Sequence, residues 1–142
     1  MNIDRRRLVA LLLSLLLAGC ASIQSSRAPN ANLKEIKTAY VQRIEGEGYN
    51  VNQTITARLN QLGIKSTTGS AEFPPERTDV IVTYVDRWMW DITMYMIRLN
   101  IQIRDGRSRE ILSTAESYRP SLERRSQEEM VAETLDAALK AQ

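Results

Sequence analysis

Residues 79–106 read DVIVTYVDRWMWDITMYMIRLNIQIRDG, and the fold depends on how this stretch divides. Val80 to Val85 and Ile97 to Ile103 are rich in β-branched and aromatic residues, and the second run alternates strictly between apolar and polar. That pattern predicts two strands rather than a helix. A two-residue loop at Trp90-Asp91, or a four-residue loop around it, makes paired residue numbers sum to 181. Val82 then faces Leu99 and Tyr84 faces Ile97. A three-residue loop would set Val82 beside Arg98 or Asn100, which a buried face rejects, because a one-residue slip turns every side chain over.

Before this hairpin, Thr38 to Ile44 predicts a short strand. Val51, Ile55, Leu59 and Leu62 then recur at helical spacing, with Asn50 or Asn52 as N-cap and Gly63 just past the end. Ile64 to Thr68 predicts a weaker strand, and Gly69 to Thr78, with Pro74 and Pro75, a loop. Strand, helix and strand together form the unit that normally closes as a parallel crossover. After the hairpin, Asp105-Gly106 is the strongest turn signal in the chain. A strand over Glu110 to Tyr118 follows. Its register is open: a two-residue loop puts Leu112 and Thr114 beside Leu99 and Ile97, a three-residue loop Ser113 and Ala115. Ser126 and Glu129 make a capping box. Beyond it Met130, Val131, Thr134, Leu135, Ala138 and Leu139 share one helical face.

The expected architecture is a single α+β domain: a strand-helix-strand unit, a three-stranded antiparallel meander and a C-terminal helix, with both helices on one sheet face. That face should carry Val80, Val82, Tyr84, Leu99 and Ile101. The opposite face would carry Ile81, Thr83, Val85 and Arg87 beside Met96, Arg98, Asn100 and Gln102, and be open to solvent or a partner.

A chain of 142 residues with 43% hydrophobic and 25% charged side chains fits one globular domain. Its formal charge of +2 comes from the N-terminal end: the 19 Lys and Arg and 17 Asp and Glu become 16 of each once Arg5, Arg6, Arg7 and Asp4 are set aside. A neutral domain gives no electrostatic reason to expect nucleic acid as a partner. His is absent, which removes the commonest general base and metal ligand, and a single Cys, Cys20, rules out an intrachain disulfide.

Arg5-Arg6-Arg7, the apolar run Leu8 to Leu17 and the small Ala18 and Gly19 have the three-part layout of an export signal, and the apolar part is too short for an ordinary membrane span. Leu17-Ala18-Gly19-Cys20 resembles the lipobox of bacterial lipoproteins. The resemblance implies that residues 1–19 are a lipoprotein signal peptide and that Cys20 is acylated and becomes the first mature residue. Membrane lipid is then the partner held through Cys20. Ala21 and Ser22 stand where the enteric version of that family places an Asp to retain its members in the inner membrane, which points to the outer membrane, periplasmic side. Ala21 to Asn32 is small and polar with Pro29 and should be a flexible tether. The expected division is therefore 1–19 signal, 20–34 acylated Cys and tether, and 35–142 periplasmic domain.

No nucleophile-base set, phosphate loop, dinucleotide fingerprint or metal-ligand cluster is present, so catalytic residues, metal ligands and cofactors are all expected to be none. The best catalytic candidates are Asp86 and Asp91, a pair of carboxylates. Asp91 also suits a turn and Asp86 an ion pair with Arg87 or Arg98. Trp88, Trp90, Asp91, Tyr95 and Met96 are the candidate partner-binding residues, since aromatics and Met suit adaptable interfaces. They would equally serve to close the core. Arg119, Arg124 and Arg125 could meet an anion, or be solvated.

Asp79 to Tyr84, Trp88-Met89-Trp90-Asp91, Met94-Tyr95-Met96 and Ser121 through Val131 resemble a family of small proteobacterial outer-membrane lipoproteins that has no assigned biochemical function. The chain also looks like the wider class of small α+β envelope lipoproteins, some of which activate peptidoglycan synthases or serve assembly machines. The resulting expectation is a non-enzymatic, membrane-anchored interaction or structural module of the cell envelope with an envelope protein as possible partner. The alternative is a small-ligand or glycan binder using the Trp88 to Met96 end.

Overall fold

Val80, Val82 and Tyr84 on one strand and Leu99, Ile101 and Ile103 on the next are each a period of two apart, so a hairpin can bury all six at once. The computed structural model, which describes residues 20–74 and 76–142, does so; the expected signal over 1–19 lies outside the described residues. The elements are β1 (Ser22–Arg27), β2 (Thr38–Gln42), α1 (Val51–Gln61), β3 (Lys65–Gly69), β4 (Val80–Asp91), β5 (Thr93–Asp105), β6 (Ile111–Tyr118) and α2 (Gln127–Lys140). A 3-10 turn over Ser121–Glu123 precedes α2. They form a single α+β domain with one six-stranded sheet in the order β1-β6-β5-β4-β2-β3. β2 pairs in parallel with both β3 and β4, and the other pairings are antiparallel.

Both helices cover the expected face. Val51, Ile55 and Leu59 of α1 and Met130, Val131 and Leu135 of α2 enter one core with Val41, Val82, Leu99 and Ile101. Each such side chain, taken wholly out of water, contributes about 1.5–3 kcal/mol before ordering costs. Asn50 occupies the N-cap position of α1 without a side-chain bond, and the Glu47 carboxylate accepts from the Val51 N–H instead. Gly63, at φ 82°, closes the helix. Ser126 and Glu129 of α2 make the reciprocal capping box.

The hairpin register differs from the expected one. Val82 faces Ile103 and Tyr84 faces Ile101, four residues further along β5, because the strands run on past Trp90 and reverse at Ile92. A shift of four preserves the two-residue period, so the buried face is unchanged. Between Arg87 and Trp88 the register slips by one, which leaves Ile97 unpaired and brings Met96 opposite Trp88. This bulge corrects the placement of Met96: it turns into the helix-covered core at 1% exposure, away from Arg98 and Asn100. In β6, Ser113, Ala115 and Ser117 lie opposite Ile103, Ile101 and Leu99, so it is the Ser113 and Ala115 phase that faces inward, at a different register from either expectation.

Two further expectations are corrected. The tether expected over residues 20–34 is, across Ser22–Arg27, an edge strand paired along its whole length to β6. Its side chains are mostly polar and exposed, so backbone pairing to β6 is what holds it in the sheet, with α2 close alongside. Ile81, expected on the open face, is fully buried with Tyr40, and the loop after β3 folds back over them. Tyr40 donates its hydroxyl to the Ala71 carbonyl at 3.0 Å, and Arg109 stacks over Phe73 at 4.1 Å.

Candidate functional site

Beyond Arg87 on β4 and before Ile97 on β5 the two strands form a tip whose base, at Trp88 and Met96, packs against the core and whose end, around Trp90 and Ile92, is exposed. Within it the expected site residues divide. Trp88 is half-buried against the core, stacks on Tyr49 with centroids 3.9 Å apart, and donates its indole N–H to Asp86 at 2.5 Å. Met96 and Tyr95 are buried, and Arg124 lies 4.7 Å over the Tyr95 ring. Trp90 is open, at 70% exposure, and Asp91 beside it is exposed as well.

Asp91 is a brace. Its carboxylate accepts from the Ser121 hydroxyl and faces Arg124 at 3.5 Å, while Arg124 donates to the Thr93 hydroxyl at 2.8 Å and to the Ser121 carbonyl at 2.9 Å. The 3-10 turn and Arg124 thus bind the tip from the side. Asp86 and Asp91, the candidate carboxylate pair, are each occupied by a separate structural partner.

Met89 and Met94, part of the expected Trp88 to Met96 end, are exposed with Trp90, and Ile92 and Leu122, which were not singled out, add open apolar surface at 85% and 83% exposure. The bracing by Ser121 and Arg124 was not foreseen either, although their distance from Asp91 in sequence left no local pattern to read. Ile92 sits at φ 64°, a left-handed conformation in which a β-branched residue is a genuine outlier.

Four depressions of about 270–420 Å³ lie elsewhere, the largest over Tyr40, Gly69, Ala71 and Phe73, and none is lined by Trp88, Trp90 or Tyr95. No group of three or more Cys, Asp or Glu side chains among the described residues could hold a metal ion, and no described helix is long and apolar enough to cross a membrane.

No family model and no curated protein matches the chain. Among solved structures it is similar to a point variant of PelC, a dodecamer from Paraburkholderia phytofirmans, with a TM-score of 0.60 and 14% identity over 87% of this chain and 99% of that one. A second PelC dodecamer structure from the same organism gives 0.59 at the same identity and coverage. A PDZ domain protein from Parabacteroides distasonis gives 0.53 at 8% identity, over 83% of this chain and 34% of that one. The shared property is the fold.

Away from the tip, the titratable groups with displaced pKa values serve the architecture. Backbone N–H bonds from Lys37 and Thr38 hold the Asp79 carboxyl below its usual range at the start of β4. Burial, then the bond to Glu47, pushes the Tyr84 phenol well above its own. Burial would raise Glu133, but bonds from Arg119 and Ser117 outweigh it and hold the carboxyl low.

Proposed function

We propose that this chain is a lipid-anchored, non-enzymatic module of the bacterial envelope, held at the periplasmic side of the outer membrane through acylated Cys20, that works by contact through the β4–β5 tip. The observation that carries the reading is the braced, exposed tip. It exposes Met89, Trp90, Ile92 and Met94 on a hairpin fastened by the Asp91–Arg124 contacts. A monomer gains nothing from fixing apolar side chains in water, so such patches mark interaction sites. Cys20 is exposed two residues before β1 begins. A small-ligand or glycan site would be a cleft, and the four depressions described above all lie away from this end.

The test is a photo-crosslinking residue at Trp90 or Ile92 of the full chain expressed in its envelope, with Phe73, also exposed, as control. Adducts at the tip and none at Phe73 are expected. Equal labelling at all three positions would sink the contact site. For the anchor, Cys20→Ser should abolish acylation and outer-membrane fractionation, and an acylated Ser variant would show the lipobox reading to be wrong.

A further inference from the structure

We propose that the occupant of the tip is the membrane itself: Trp90, Ile92 and their neighbours enter the same bilayer surface that receives the acyl chains of Cys20, giving the domain two membrane contacts and a fixed orientation. This rests on the anchored-module reading above.

Strand direction fixes where anchor and tip lie. Ser22 pairs with Tyr118, Tyr118 with Arg98, and Arg98 with Arg87, so these four residues form one row across the sheet. From that row β4 and β5 run on to Ile92, and the chain before Ser22 runs toward Cys20 in the same direction. Anchor and tip therefore share one end of the sheet. At ~3.3 Å per residue, Cys20 lies ~7 Å beyond the row and Ile92 ~16 Å beyond it. Two to three strand spacings, ~10–14 Å, separate them sideways. With Cys20 at the lipid surface and the strands upright, the tip reaches ~10 Å deeper, matching the roughly 5–10 Å to which interfacial apolar faces enter a bilayer.

The chemistry suits lipid. Trp is favoured at membrane interfaces, where its ring is apolar and its N–H remains wet. Ile92, Met89, Met94 and Leu122 add exposed apolar surface at the same end. Among the nearby arginines, Arg98 pairs with Glu116, Arg119 with Glu133 and Arg124 with Asp91, while Arg87 is exposed at the base of the tip, so apolar insertion leads the contact and Arg87 adds attraction to headgroups. Ile92 adds an independent observation: a β-branched residue in a left-handed conformation at a solvent-exposed turn is kept against its local preference, as happens where a side chain has a task.

The test uses the acylated protein extracted from its envelope and reconstituted into phosphatidylethanolamine vesicles with a minority of phosphatidylglycerol, their acyl chains brominated at mid-depth. Tryptophan emission should be quenched relative to unbrominated vesicles. The quenching should persist in Trp88→Phe and disappear in Trp90→Phe. Equal emission in both vesicle types overturns the proposal. Should quenching be absent while a photo-crosslinker at Ile92 captures a protein, or a second copy of this chain, the contact site stands and its occupant is that protein. Intact mass separates the remaining case, since Cys20 without acyl groups overturns the anchor and this proposal together.

Discussion

Trp88 and Tyr49 stack with their centroids 3.9 Å apart and their planes 19° from parallel, joining the loop before α1 to the base of the β4–β5 tip. Two residues on, Trp90 touches solvent over most of its surface. Trp88→Ala should therefore cost about 2–3 kcal/mol, below the value for a fully buried aromatic because Trp88 is half-exposed. Trp90→Ala should stay within about 0.5 kcal/mol of the parent. Urea unfolding of both variants checks this, and a Trp90 loss as large as that of Trp88 would mean the tip packs rather than presents.

Gly106 supports a second prediction. Its N–H donates to the Asp79 carbonyl at 2.8 Å, and a Cβ placed on it would lie 1.9 Å from the Thr78 carbonyl oxygen. That obstacle is backbone at the start of β4, so a rotamer change cannot relieve it. Gly106→Ala should destabilise by at least about 2 kcal/mol, beyond the usual cost of overpacking by one methyl. A melting temperature equal to the parent's would show that the β5–β6 turn gives way freely.

The Trp88 and Gly106 sites show what was legible in the chain. Alternation in Val80 to Tyr84 and Leu99 to Ile103 identified the buried face, and the Ser126 and Glu129 signature identified the start of α2, because both depend on side-chain chemistry over short spacing. The turn was misplaced because Asp91 suits a turn and Ile92 does not, yet Ile92 is where the chain reverses. The bulge at Ile97 has no residue signature, so Met96 was assigned to the wrong face. β1 was unreadable because its pairing is by backbone and its sequence is polar. For the site, the Trp88 to Met96 end was found, but not the burial of Tyr95 and Met96 within it, which follows from the bulge and from Arg124.

Glu133 gives the chain a pH dependence. It accepts from Arg119 at 2.9 and 2.7 Å and from the Ser117 hydroxyl, tying α2 to the end of β6. Its folded pKa is depressed below the unfolded value of about 4.3. This contribution to stability is fully present above the unfolded pKa and is lost as pH falls through the folded one. Glu133→Gln should cost about 2 kcal/mol near neutral pH, Glu123 remaining at 3.7 Å from Arg119. It should also flatten stability against pH in the acid range. Parallel acid-unfolding curves for the two proteins would show that the pair carries none of the dependence.

Ile92 tests whether strain at the tip serves the contact. A left-handed conformation costs a residue with a Cβ about 1–2 kcal/mol, and a β-branched one more than most, whereas Gly adopts it freely. Since Ile92 is 85% exposed, replacing it removes almost no packing. Ile92→Gly should therefore stabilise the domain, by about 1 kcal/mol after the greater unfolded-state freedom of Gly is deducted. The same change deletes the most exposed apolar side chain of the tip and should reduce lipid quenching of Trp90 in the acylated protein. Stability and membrane contact would then move in opposite directions, the pattern of a residue retained for function at the expense of the fold. A variant that loses both would indicate that Ile92 merely holds the hairpin together, and the reach of the tip would have to come from Trp90 and Met94 alone.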